Sequence, residues 1–127
     1  MEKTVTRTGE FYVDKHGILH AIMHPNVVVD YEDALDNFLV IKTLTNSKPA
    51  LRLLDLTNNP KFVSKAKKFL ENKEVNSMAL ARAILTTNSV KKVSFNFFIK
   101  LNPNKIPTKF FTDYDLAIIW LRSFKDK

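Results

Sequence analysis

The sequence predicts an α/β fold: a mixed, mostly parallel sheet of about five strands with about four helices, in the order β-β-α-β-α-β-α-β-α. Three observations predict it. The chain opens with two short apolar runs around a glycine turn. After them, stretches of helical periodicity alternate with compact apolar runs. Only 2 Gly and 5 Pro interrupt 127 residues, which argues against a loop-rich or repetitive fold.

Glu10 to Asp14 reads as a short strand. Lys15-His16-Gly17 is a turn, with glycine free to take positive φ, and Ile18 to Met23 returns as the second arm of a hairpin. Asp30 is placed as an N-cap, with Asp33 three residues on as a variant of the capping box. Tyr31, Ala34, Leu35, Phe38 and Ile41 then recur at helical spacing to about Leu44. Ala50 to Leu56 is apolar and compact, as expected of a strand covered on both faces. Asn58-Asn59-Pro60 is expected to open the next helix, with Phe62, Val63, Ala66, Phe69 and Leu70 inward and Lys61, Lys65 and Lys68 outward. Leu80 to Thr87 is the next strand. Asn88 or Ser89 caps a helix to about Leu101, and Asn102-Pro103-Asn104 is a loop. Pro107 to Thr112 is the last strand. Thr112 with Asp115 repeats the capping pattern before a helix whose stripe is Tyr114, Ala117, Ile118 and Leu121.

Apolar residues make up 45% and charged residues 26%, enough to bury a core and unlike a disordered chain. The length suits a single domain over residues 1–127. The absence of cysteine excludes disulfides, thiolate metal sites and a cysteine nucleophile. The polar start lacks a signal core, and no run approaches the roughly 18 apolar residues of a membrane span. A cytoplasmic location is expected. The net charge of +7 is uneven: residues 1–60 carry 6 Lys/Arg against 8 Asp/Glu, and residues 61–127 carry 14 against 5. Such asymmetry marks a surface for nucleic acid, anionic lipid or an acidic partner, or else Lys-rich helix faces that keep the protein soluble. The excess is mostly Lys, whereas direct base readout favours Arg, so sequence-specific nucleic-acid binding is not expected.

Catalytic patterns are scarce. His16, His20 and His24 are spaced by four, and a metal pair is conceivable, but without a companion Cys or carboxylate they read as polar-face histidines. Asp30, Glu32, Asp33 and Asp36 cluster at a helix start, where the helix dipole accounts for them. Gly9 and Gly17 cannot make a phosphate-cradling loop, and no nucleophile elbow is present. No cofactor is expected. The helix at 89–101 carries Val90, Val93, Phe97 and Leu101 on one stripe, with Phe95, Phe98 and Ile99 beyond it. One stripe suffices for a surface helix, so the second side is expected to meet another part of the fold, a homodimer partner or a ligand.

Four strings carry a resemblance: V-D-Y-E-D-A-L (29–35), L-L-D-L-T (53–57), N-F-F-I-K-L-N-P (96–103) and P-T-K-F-F-T-D-Y-D-L-A-I-I-W-L (107–121). They resemble the small bacterial SpoIIAA-like proteins of the STAS/SEC14 type, over about Phe11 to Leu121. The resemblance implies a non-enzymatic regulatory or protein-interaction module, like the anti-sigma-factor antagonists. In those, a strand ending in a D-L-S/T pattern leads to an Asp-Ser-Ser-Gly-like turn, where a serine is phosphorylated and the adjoining helix docks the partner. Here Asp55-Leu56-Thr57 matches, but the turn reads N-N-P-K-F-V-S-K. Only the docking region is therefore carried over, at Thr57, Asn58, Asn59, Ser64, Lys65 and Lys68. The alternative is SEC14-like binding of a lipid or other apolar small molecule, with Phe95, Phe98 and Ile99 beside Lys91 and Lys92 as the apolar site.

Overall fold

The computed structural model describes residues 2–87 and 105–125. Its strands are β1 (Thr4–Val5), β2 (Gly9–Val13), β3 (Ile18–Met23), β4 (Val28–Val29), β5 (Ala50–Asp55), β6 (Lys61–Phe62), β7 (Ala79–Leu85) and β8 (Thr108–Phe111). Its helices are α1 (Tyr31–Leu44), α2 (Ser64–Leu70), α3 (Lys73–Asn76) and α4 (Tyr114–Arg122). The predicted helix at 89–101 and the loop after it lie outside the described residues.

Six strands form one sheet in the order β1-β2-β3-β5-β7-β8, and β4 pairs with β6 separately. β1, β2 and β3 are antiparallel, and from β3 to β8 every pairing is parallel. The five predicted strands are all present. The extra edge strand, β1, is two residues long, too short to leave a periodic signal. It is joined to β2 by a turn in which the Thr6 hydroxyl oxygen accepts from the amides of Thr8 and Gly9.

The β2–β3 turn is organised by Asp14. One carboxylate oxygen accepts from the amides of His16 (2.8 Å) and Ile18 (3.0 Å), and Gly17 takes φ +79°. Alternation then sends neighbouring residues to opposite faces of the sheet. Ile18, Leu51, Leu53, Ala81, Ala83 and Leu85 face α4, where they meet Ala117 and Leu121. Phe111, Trp120 and Phe124 close that side, with Trp120 edge-on to Phe124 at 4.9 Å. The opposite face carries Phe11, Leu19 and Ala21 under Ile41 of α1. Beside them, Met23, Leu56 and Ile84 pack with Val29, Ala34 and Ala66.

The start of α1 is as its sequence predicts. The Asp30 side chain accepts from the Asp33 amide (2.9 Å), and the Asp33 side chain accepts in turn from the Asp30 amide (3.1 Å). Such a cap contributes about 1 kcal/mol.

Two predicted boundaries are corrected. Asn58-Asn59-Pro60 does not open a helix. Asn59 adopts φ +58°, and Lys61–Phe62 pairs in parallel with Val28–Val29. The amides of Lys61 and Val63 donate to Val27 and Val29 carbonyls at 2.9 and 3.0 Å. These long-range bonds delay the helix to Ser64, so Phe62 lies in a strand and Val63 is an exposed N-cap. At the last helix the cap is Asp113 rather than Thr112, because the Asp113 carboxylate accepts from the Leu116 amide. The helix α3 is a single turn that periodicity over longer windows does not reveal.

Candidate functional site

The strand-to-helix turn after β5 is built from its polar side chains. Asp55 accepts from both the amide (2.9 Å) and the hydroxyl (2.6 Å) of Thr57. Asn58 donates from its side chain to the Met23 carbonyl (2.9 Å), and its own carbonyl accepts from the Asn26 amide. Thr57 and Asn58 are thus half-buried ties that hold the loop. Asn59, Ser64, Lys65 and Lys68 are exposed. Lys65 and Lys68, three apart, are neighbours on one helix surface.

The β4–β6 pair extends this surface. Val28 stands opposite Lys61, and Val63 follows Lys61 by two residues along the same direction. Val28, Tyr31 and Val63 are exposed, and the Tyr31 ring sits edge-on to Phe69 at 5.6 Å. Apolar side chains from β4, α1 and the α2 cap therefore adjoin a row of lysines. The acidic residues Asp30 and Glu32 border the Tyr31 end. The sequence reading missed Val28, Tyr31 and Val63 as part of this surface, because only tertiary pairing brings residues 28–31 against 61–69.

Asp33 does more than complement the α1 dipole. It is buried, and Arg7 makes a two-pronged contact to it: Nε donates to one carboxylate oxygen (2.9 Å) and Nη2 to the other. The same Nη2 donates to the Val28 carbonyl at 2.7 Å. The Arg7 bond, with further hydrogen bonds from Asp30, holds the Asp33 carboxyl below its usual range against the opposing pull of burial.

The expectation of polar-face histidines fails at His20, which is 1% exposed. Its Nε2 lies 2.8 Å from Asp14, and its ring stacks on Tyr12 with centroids 4.5 Å apart. Burial works against the charge on Asp14, but hydrogen bonds from His20, Ile18 and His16 outweigh it and keep its carboxyl below its usual range. The ionised carboxylate can only accept, so the proton resides on Nε2. β3 ends at Met23, so His24 does not continue the strand face that carries His20. His24 instead contacts the Arg7 carbonyl at 3.1 Å. Among the described residues no three His, Cys, Asp or Glu are grouped to hold a metal.

A cavity of about 90 Å³ lies between the sheet and α1, with α3 at one end. Phe11, Ala21, Leu54, Phe62, Leu70 and Val75 give it apolar walls, and Arg52, Arg82 and Asn76 line the same space. Arg52 and Arg82 are directly opposed across β5 and β7. The sequence reading counted both only as charges. The available signal was a single Arg inside each of two apolar strands, A-L-R-L-L-D and A-L-A-R-A-I-L. Phe95, Phe98 and Ile99, where an apolar site was expected, lie outside the described residues, as do Lys91 and Lys92.

No helix among the described residues is long and apolar enough to cross a membrane. The fold is SpoIIAA-like, as the four strings suggested. A solved structure of an uncharacterised DUF3478-family protein with a SpoIIAA-like fold, from Shewanella loihica PV-4, matches with a TM-score of 0.60. It covers 94% of this chain and 90% of its own at 15% identity, a likeness of fold alone. No curated protein matches. The sequence does match a family over residues 11–125, and the chain belongs to it: the domain of unknown function DUF7793.

Proposed function

We propose that this chain is a non-enzymatic regulatory module, a single cytoplasmic domain over residues 1–127 that acts by docking an acidic segment of a protein partner. The supporting observation is the surface where exposed Val28, Tyr31 and Val63 adjoin Lys61, Lys65 and Lys68. An apolar centre with a charged rim suits specific association, and the lysines select for negative charge. Asn59 and Ser64 stand at the rim, and Thr57 and Asn58 hold the loop that presents them. The half of the chain after residue 60 carries the positive excess, in keeping with this polarity.

The test begins with affinity capture from host extract, followed by purification of the captured protein. The pure partner should bind the wild-type chain with salt-sensitive affinity. Lys65→Glu combined with Lys68→Glu should weaken it by about tenfold or more, which is about 1.4 kcal/mol. Ser64→Asp should weaken it in the same direction. A partner indifferent to all three substitutions removes the surface from consideration. Self-association lost with the same substitutions would replace the acidic partner with a second copy of the chain.

A further inference from the structure

Arg82 is 7% exposed, yet no carboxylate pairs with it among the described residues. Its Nη2 donates to the Asn76 side-chain oxygen at 2.8 Å. Asn76 is itself fixed, donating to the Leu70 (2.7 Å) and Asn72 (3.0 Å) carbonyls. The Nε of Arg82 is buried without a hydrogen-bond partner. Arg52 stands opposite on the adjacent strand, and sheet strands lie about 4.8 Å apart. One small anion can therefore reach both guanidinium groups.

An unpaired buried cation such as Arg82 is costly, and the half-buried Arg52 beside it adds to that cost. Burial lowers both arginines to about 10, and for Arg52 the charge of Arg82 adds to the effect. Both nonetheless stay charged at neutral pH. A fold under selection for stability alone would place apolar residues here, as it does at Ala81 and Ala83 on the other face. The two cations open onto an apolar space lined by Phe11, Ala21, Leu54 and Leu70. Besides dispersion contacts, that space offers a ligand these two cations and the side chains of Asn37 and Asn76, which are already hydrogen-bonded.

We infer that the cavity between the sheet and α1 binds a small carboxylate with a short apolar tail, its carboxylate held by Arg52 and Arg82 and its tail against Phe11, Ala21, Leu54 and Leu70. Guanidinium forks match carboxylate oxygens, and a small shift of the Arg82 side chain toward the ligand gives its buried Nε–H the acceptor it lacks. Inorganic phosphate fits the cations but would turn oxygens toward apolar walls. A neutral alcohol fits the walls but leaves the cations unpaired. At about 90 Å³ the space is well below the roughly 300 Å³ where pockets for drug-sized ligands begin, so a long acyl chain is excluded. Asn76 is the positioning residue, since it orients Arg82.

The inference goes beyond partner docking and is tested on the purified chain alone. Butanoate, hexanoate, inorganic phosphate and butan-1-ol are titrated at low salt by calorimetry, with thermal melting in parallel. Butanoate should bind and raise the melting temperature, with phosphate and butan-1-ol near silent. Arg82→Met and Arg52→Met should each weaken butanoate by about tenfold or more. Arg82→Lys keeps the charge and loses the fork, so it serves if a Met variant does not fold, and it should also bind more weakly. No heat from either acid overturns the inference. Unchanged binding by folded Arg82→Met or Arg82→Lys overturns the role of the arginines. Phosphate binding as tightly as butanoate overturns the apolar half of the site.

Discussion

The two faces of the sheet are made by the same strands and differ in how they are filled. Toward α4, Ala81, Ala83 and Ala117 are fully buried, and their small size lets the helix lie close on Leu51, Leu53 and Ile18. Toward α1 and α3, the alternate residues of β5 and β7 are Arg52 and Arg82, and a cavity remains above them. One face is packed as a core. The other keeps space and charge at some cost in stability. The α4 face holds a buried polar group too, His20, but Asp14 is its charge partner. The cations without a carboxylate among the described residues lie on the other side, and that side is where ligand chemistry is to be sought.

The largest expected effect tests the tight face. Leu121→Ala removes a fully buried side chain and should cost about 2–5 kcal/mol in urea unfolding. A loss under about 1 kcal/mol would mean that α4 is not packed as described. Next comes a matched pair. Ala83→Val adds bulk where none fits and should cost about 1–3 kcal/mol. Ala21→Val, which adds the same atoms at the cavity wall, should cost distinctly less. Equal losses would erase the contrast between the faces.

A smaller loss is expected in acid. Asp14 and Asp33 are both held below the usual carboxylate range, so their contributions are fully present above the unfolded value of about 3.9. They fade as pH falls through the folded values. Arg7, raised above its ordinary value, stays charged throughout this window. Urea midpoints should therefore drop below about pH 4, and Asp33→Asn should flatten that drop while lowering stability at pH 7. An unchanged acid profile in Asp33→Asn would show that the Arg7 contact carries no weight. The smallest shift belongs to Arg82→Met, which should be neutral or stabilising, since apolar replacement of a buried charge relieves its desolvation. A loss comparable to that of Leu121→Ala would make Arg82 a structural residue.

Local chemistry was the part that could be read in advance. Asp30 and Asp33 announce the α1 cap because both partners lie within three residues, and the parallel strands announce themselves as apolar runs between turns. The start of α2 could not be read so, because the acceptors for Lys61 and Val63 are the carbonyls of Val27 and Val29, more than thirty residues away. His20 looked like a surface residue because its partners, Tyr12 and Asp14, reach it only across the hairpin. The polar residues expected at the docking turn occupy one locality, yet Thr57 and Asn58 spend their hydrogen bonds on tying the loop to Asp55, Met23 and Asn26. The cavity was invisible for a different reason. A charged residue in an apolar strand is conspicuous, but that two of them face each other is a matter of register, which no single segment contains.

The outermost strand carries a final consequence. β1 offers only Thr4 and Val5 to the solvent edge. A foreign strand seeking to extend the sheet there would find no more than two residues of ladder. The fold thus ends its sheet in a way that discourages runaway strand addition, protecting a β-rich chain from aggregation.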